Sequence, residues 1–152
     1  MKAETIIVAA GAVVLDEGGR VLLVKHRPER GGYWAGKWIC PGGRLKLGET
    51  LAEGARREIH EETHLEICIH RMIPPFERIV TDGERTVLHV VYIDFLAGCS
   101  STSVIPADDV GEARWVNVSA LPDMAGELHE DTRTLLRLAG VWPQDCDSRE
   151  HT

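Results

Sequence analysis

The chain has 152 residues, 43% apolar and 27% charged, with a formal net charge of −7. That size and balance fit one soluble domain around one core, and exclude disordered, collagen-like and membrane compositions. The negative charge excludes a broad basic face for a nucleic-acid polymer, and a polyphosphate ligand would need a cation to mediate its binding.

The apolar run Thr5 to Leu15, the turn Asp16-Glu-Gly-Gly-Arg20 and the run Val21 to Val24 predict a β-hairpin. Glu4 breaks the basic start that a signal peptide requires, and the first run is too short to span a bilayer. Cys40, Cys68, Cys99 and Cys146 are widely spaced, with no Cys-x-x-Cys pair, and read as reduced thiols of a cytoplasmic protein. A loop rich in Gly, Arg and aromatics (27–37) leads to a brief extended piece, Trp38 to Cys40, which Pro41-Gly42-Gly43 is expected to end in a turn.

A helix is expected from Thr50 to about Thr63. Thr50-x-x-Glu53 is a capping-box signature, and Leu51, Ala52, Ala55 and Ile59 recur at helical spacing. Ile67 to Ile73 and Phe76 to Val80 are extended, with a bend at Pro74-Pro75. Thr86 to Leu96 is apolar on both alternating faces and is the expected central strand. A polar loop (100–109), a short strand from Ala113 to Val118 and a helix from Asp123 to Ala139 ending at Gly140 complete the domain, residues 1–142. Residues 143–152 read as a polar tail. Strands flanking one early helix, with a second helix late, imply an α/β/α sandwich around a mixed sheet.

At ~100° per residue, Glu58, Glu61 and Glu62 share roughly one quadrant of the first helix, beside the packing residues Ala55 and Ile59. Carboxylates at these spacings repel by about a few tenths of a kcal/mol per pair, and a hard divalent cation such as Mg²⁺ or Mn²⁺ would offset that cost. Arg57 lies one turn before Glu61, where it can orient a carboxylate. Gly54 lies under the same face and is expected to leave room for a ligand. Gly42 and Gly43 can expose backbone groups to a metal.

The stretch Gly43 to Leu65 resembles the Nudix box, Gly-x5-Glu-x7-Arg-Glu-U-x-Glu-Glu-x-Gly-U with U aliphatic. Gly43, Glu49, Arg57, Glu58, Ile59, Glu61, Glu62 and Leu65 match it. His64 replaces the final Gly, and His tolerates the left-handed conformation expected there at a cost of roughly 1 kcal/mol. The resemblance implies a Nudix-type α/β/α fold and Mg²⁺- or Mn²⁺-dependent hydrolysis of a diphosphate linkage in a small nucleotide. The leading case is a nucleoside or deoxynucleoside triphosphate cut to monophosphate and pyrophosphate; ADP-ribose is the alternative. It further implies metal ligands at Glu58, Glu61, Glu62 and the Gly42 carbonyl, orientation by Arg57 and Glu49, a general base among Glu58, Glu61 and Glu112, and a homodimer.

Arg27, Lys37, Trp38, Gly43, Arg44 and Trp115 are the candidate substrate contacts, with Arg30 and Lys46 as further local cations and Tyr33 and Trp34 as further aromatics. Two rival readings have different consequences. His60-Glu61-Glu62-Thr63-His64 satisfies the zinc-peptidase pattern His-Glu-x-x-His, but no convincing third ligand follows it. A nucleotide-binding module of the same fold without hydrolysis is the other, and the complete acidic triad argues against it.

Overall fold

The structure, a computed structural model, describes residues 3–143. Strands β1 (Ile7–Leu15), β2 (Arg20–His26), β3 (Gly42–Arg44), β4 (Ile67–Met72), β5 (Phe76–Asp82), β6 (Arg85–Cys99) and β7 (Val110–Asn117) form one sheet, with helices α1 (Leu51–Thr63) and α2 (Glu130–Leu138) on its two faces. This is the expected α/β/α sandwich. The sheet order is β4-β6-β1-β2-β7, so β6, expected at the centre, is the longest strand and an interior one, while β1 takes the middle place. One edge of β6 carries β5 and then β4, both antiparallel, with Pro74-Pro75 between them. The other edge pairs in parallel with β1 from Ile7↔Val90 to Leu15↔Gly98.

Because side chains alternate across a strand, β1 serves both layers. Ala10 packs with Ala55 of α1, and Ala12 and Val14 pack with Ile59 of α1. Val13 points the other way, into a cluster with Leu23, Ile73, Leu135 and Leu136 under α2.

β1 and β2 pair at Leu15↔Val21, beside their turn, and the segment after Trp38 enters between their far ends. Ile39 bridges Val24, the Ala12 N–H donates to the Pro41 carbonyl at 3.2 Å, and Gly42 and Gly43 pair with Gly11 and Ala10. Pro41-Gly42-Gly43 is therefore a strand entry, and the expected turn is corrected. A Cβ on Gly42 would sit 2.8 Å from the Gly11 Cα, so the two backbones approach as closely as they do only because both residues are glycine.

The helical periodicity of Leu51–Thr63 is realised as α1. Thr50 accepts the Glu53 N–H at 3.1 Å, the N-cap half of the box read from sequence, while Glu53 Oε1 accepts from the Thr50 hydroxyl at 3.0 Å in place of the Thr50 backbone N–H. His64 ends the helix in the left-handed conformation, φ 64° and ψ 10°.

The second helix is shorter than expected. Val118–Glu127 is a 3-10 run broken at Met124 (φ −109°, ψ 19°), and α2 begins only at Glu130. Pro122 withholds a backbone donor and Gly126 weakens continuation. His129 then caps α2, its Nδ1 accepting the Asp131 N–H at 3.1 Å. Gly140 (φ 75°) follows the helix end, and Val141 and Trp142 still pack on the core. Apart from Pro143, the expected tail and Cys146 lie outside the described residues.

Candidate active site

A cleft of about 340 Å³ opens between the C-terminal half of α1, the β3 backbone and the start of α2. That volume lies within the range that encloses a small ligand. Gly42, Gly43, Arg44, Glu58 and Glu62 form one end; Cys40 and Asp94 lie along it; Trp34, Phe76, Tyr92 and Asp131 form the other.

At the first end, Arg57 organises the acidic face. Its Nε donates to Glu49 Oε2 at 2.5 Å and its Nη2 to Glu49 Oε1 at 3.0 Å, a two-point pairing. The same guanidinium reaches Glu58 at 2.9 Å, Glu61 at 3.2 Å and the Arg44 carbonyl at 3.0 Å. Hydrogen bonds from Arg57 and the Lys46 N–H hold the Glu49 carboxyl down at about 2. The three box glutamates descend in exposure, with side chains 40% (Glu61), 14% (Glu58) and 4% (Glu62) accessible, so the row runs from solvent inward.

Burial pushes Glu58 and Glu62 above the ordinary carboxylate range, and the repulsion between neighbouring carboxylates adds to it. Glu62 Oε1 accepts the Gly42 N–H at 2.9 Å. The Glu58 carboxylate lies so close over Gly43 that a Cβ there would overlap it. Among the described residues no three acidic, histidine or cysteine side chains close into a ready cage, because Glu58 and Glu61 lean onto Arg57 while Glu62 turns to Gly42.

The donors nevertheless suit a hard divalent cation: oxygen ligands from one helix face, Glu62 buried and Glu58 partly buried, and a backbone cradle without side chains. Glu58, Glu61, Glu62 and the Gly42 carbonyl would hold it.

Several expected contacts are corrected. Trp38 is buried in the cluster under α2, with Lys25 and Arg114 over its ring at 5.6 and 5.3 Å, and offers no free face to a base. Trp115 packs on the α1 side of the sheet, donates to the Thr102 carbonyl at 3.0 Å and is covered by Arg20. Lys37 Nζ donates to the Gly126 carbonyl at 2.7 Å, outside the cleft. Glu112 is exposed on β7 opposite Lys25 and does not line the cleft. Arg27 braces the loop before β7, its Nε donating to the Asp108 carbonyl at 3.2 Å, and its side chain does not line the cleft. Gly54 makes room for Leu45 and Ala10, where a Cβ would stand 2.6 Å from Leu45 Cδ1, and not for a ligand.

Gly43 and Arg44 do line the cleft, and so does Arg30, which is ion-paired to Asp109. Asp108 and Asp109 also line the cleft, and sequence reasoning, which singled out Glu112 as a candidate base, missed both. The signal was the acidic pair just before the strand, Asp108 having a left-handed φ of 56° that turns the loop.

The far end is a connected polar network among aromatics. Trp34 Nε1 donates to the Tyr92 hydroxyl at 2.8 Å, and Tyr92 donates to Asp131 Oδ2 at 2.6 Å. Arg78 donates to Asp131 Oδ1 at 2.8 Å, while Phe76 stacks on Tyr92 with centroids 4.6 Å apart. Of the three aromatics, sequence reasoning singled out only Trp34. Asp94, between the two ends, is pushed up to about 7 by burial.

Residues 5–139 match the NUDIX domain family model. The chain is 28% identical over 111 residues to the uncharacterized Nudix hydrolase YvcI of Bacillus subtilis, covering 73% of this chain and 66% of that protein. It is 27% identical over 134 residues to the nucleoside triphosphatase NudI of Escherichia coli, covering 84% and 93%. The crystal structure of the MutT NUDIX hydrolase from Burkholderia pseudomallei superposes with a TM-score of 0.74 at 25% identity, covering 89% of this chain and 98% of that one. With a family model spanning nearly all the described residues, and Glu58 and Glu62 of the box lining a cleft, the chain belongs to the Nudix family of hydrolases acting on phosphoric anhydrides.

Proposed function

We propose that this enzyme hydrolyses a diphosphate linkage in a small nucleotide with Mg²⁺ or Mn²⁺, and that a nucleoside or deoxynucleoside triphosphate, giving monophosphate and pyrophosphate, is its substrate. The observation that carries this is the cleft itself: carboxylates and arginines at one end, aromatic faces at the other, within one 340 Å³ volume. The relative NudI, a nucleoside triphosphatase aligned over most of both chains, favours a triphosphate over ADP-ribose. The Pro74-Pro75 pair agrees, because relatives acting on ADP-ribose often carry a Pro farther beyond the box.

When bound, the cation would supply neutralisation of phosphate charge and lower the pKa of a water, so that hydroxide is available near neutral pH. The residues of this chain do the rest. Glu58, Glu61 and Glu62 would hold the ion, Arg57 orients the first two through its hydrogen bonds, and Arg30 and Arg44 would meet the phosphates. Glu58, Glu61 and, in the loop before β7, Asp108 are the carboxylates proposed to take the proton of the attacking water. Trp34, Phe76 and Tyr92 accept the base. Free thiols at Cys40, Cys68 and Cys99 suit a cytoplasmic enzyme. Among the described residues no helix is long and apolar enough to cross a membrane.

The test is a panel of nucleotides with Mg²⁺, reading which phosphate leaves, for the wild type and Glu61→Gln. Pyrophosphate release from triphosphates is expected, and a loss of ~100-fold or more in the variant with the fold intact. Near-normal turnover by Glu61→Gln would remove the mechanism.

A further inference from the structure

His26 ends β2 at a register shift in its pairing with β7, between Lys25 and His26, which turns the side chain into the cleft. The imidazole side chain is 9% accessible, and its Nε2 is fully buried without a hydrogen-bond partner. It faces Glu62 Oε2 at 3.6 Å, while the other oxygen of Glu62 is held by the Gly42 N–H. That separation is too long for a hydrogen bond. It matches the spacing of two donors on one cation, about 3 to 3.6 Å when each lies ~2.1–2.2 Å from the ion.

We propose that His26 Nε2 is a nitrogen ligand which joins Glu62 on a divalent cation and makes this site prefer Mn²⁺ or Co²⁺ to Mg²⁺. An imidazole nitrogen adds more affinity for a first-row ion, modestly for Mn²⁺ and more for Co²⁺, than for Mg²⁺, which favours oxygen ligands and gains little from it. The inference rests on the divalent-metal reading above.

The decisive experiment uses Mn²⁺ alone on the full chain and reads nitrogen coupling by pulsed electron paramagnetic resonance. Carrying it out in a His60→Ala/His64→Gly background removes the stacked pair on α1, whose rings are 5.9 Å apart and could bind the ion adventitiously. A nitrogen signal is expected that changes isotope when histidine alone is ¹⁵N-labelled and vanishes in His26→Gln. Calorimetry should then show Mn²⁺ affinity falling about tenfold or more in His26→Gln and Mg²⁺ affinity falling by less than about threefold. No histidine nitrogen on the bound ion, or equal losses for the two metals, would overturn the proposal. The labelling experiment needs only a chain that keeps His26, so a misfolded His26 variant leaves the test intact. Pyrophosphate release with Mg²⁺ is read separately, so failure of the His26 assignment is distinct from failure of the hydrolase reading.

Discussion

Arg57 and Glu49 meet edge to edge across eight residues, at 2.5 and 3.0 Å, so that the loop entering α1 is fastened to the middle of the helix. The same guanidinium touches Glu58 and Glu61, and its planar fork spans three carboxylates that a point charge cannot serve together. Arg57→Lys is expected to lower kcat by about tenfold to a hundredfold while the melting temperature moves little. Steady-state kinetics beside a thermal melt decides it; unchanged kcat would show that Arg57 only decorates the helix.

Asp94 gives stability a definite pH slope. Its carboxyl ordinarily titrates at 3.8 and in the fold at about 7, so between those values the native state holds a proton that the unfolded chain has released. Stability therefore falls as pH rises through that window, and the full penalty of a buried charge, on the order of a few kcal/mol, is present above it. Asp94→Asn is expected to raise the melting temperature by several degrees at about pH 8 and to change it little at about pH 4. Melts of both proteins across that range check the sign, and an equal shift at both ends would contradict it.

Tyr92 joins two otherwise separate groups, accepting from Trp34 and donating to Asp131. Tyr92→Phe strands the indole N–H and one oxygen of a buried carboxylate, at a cost of about 1–3 kcal/mol. Urea denaturation should show it, and KM should rise more than kcat falls, because the face offered to a base loses its tether.

His64 carries a left-handed backbone at the end of α1. His64→Gly is expected to match or exceed wild-type stability by up to about 1 kcal/mol, relief of the backbone strain being partly offset by a freer unfolded chain. His64→Val, β-branched, is expected to lose more than ~1 kcal/mol. Denaturant midpoints rank the three proteins, and Val at or above Gly would show that the conformation is not what limits this position.

The acidic face, its N-cap and the long interior strand were legible because each is written in local spacing: Thr50 with Glu53, Glu58 with Glu61 and Glu62, Val87 through Leu96. What stayed hidden depends on contacts distant in sequence. Trp38 and Trp115 look alike as residues near a binding loop. Only the side of the sheet each faces shows that both are structural, and neither loop chemistry nor composition encodes that side. Glu112 and Asp108 are four positions apart, and the choice between them turns on a left-handed residue that redirects the loop. Pro41-Gly42-Gly43 resembles a turn for the same reason that it makes a good strand against Gly11, since the absence of side chains serves both.

The pairing of β1 with β6 sets when the site can exist. The α1 segment, with its cap and its row of acids, is translated early, whereas the strand that anchors β1 from the other side ends at Cys99. Until that late stretch arrives, Gly11 has no fixed place, and neither has the Gly42 backbone laid against it. A nascent chain thus carries its acidic residues well before it owns a pocket, and the order of translation decides when hydrolysis can begin.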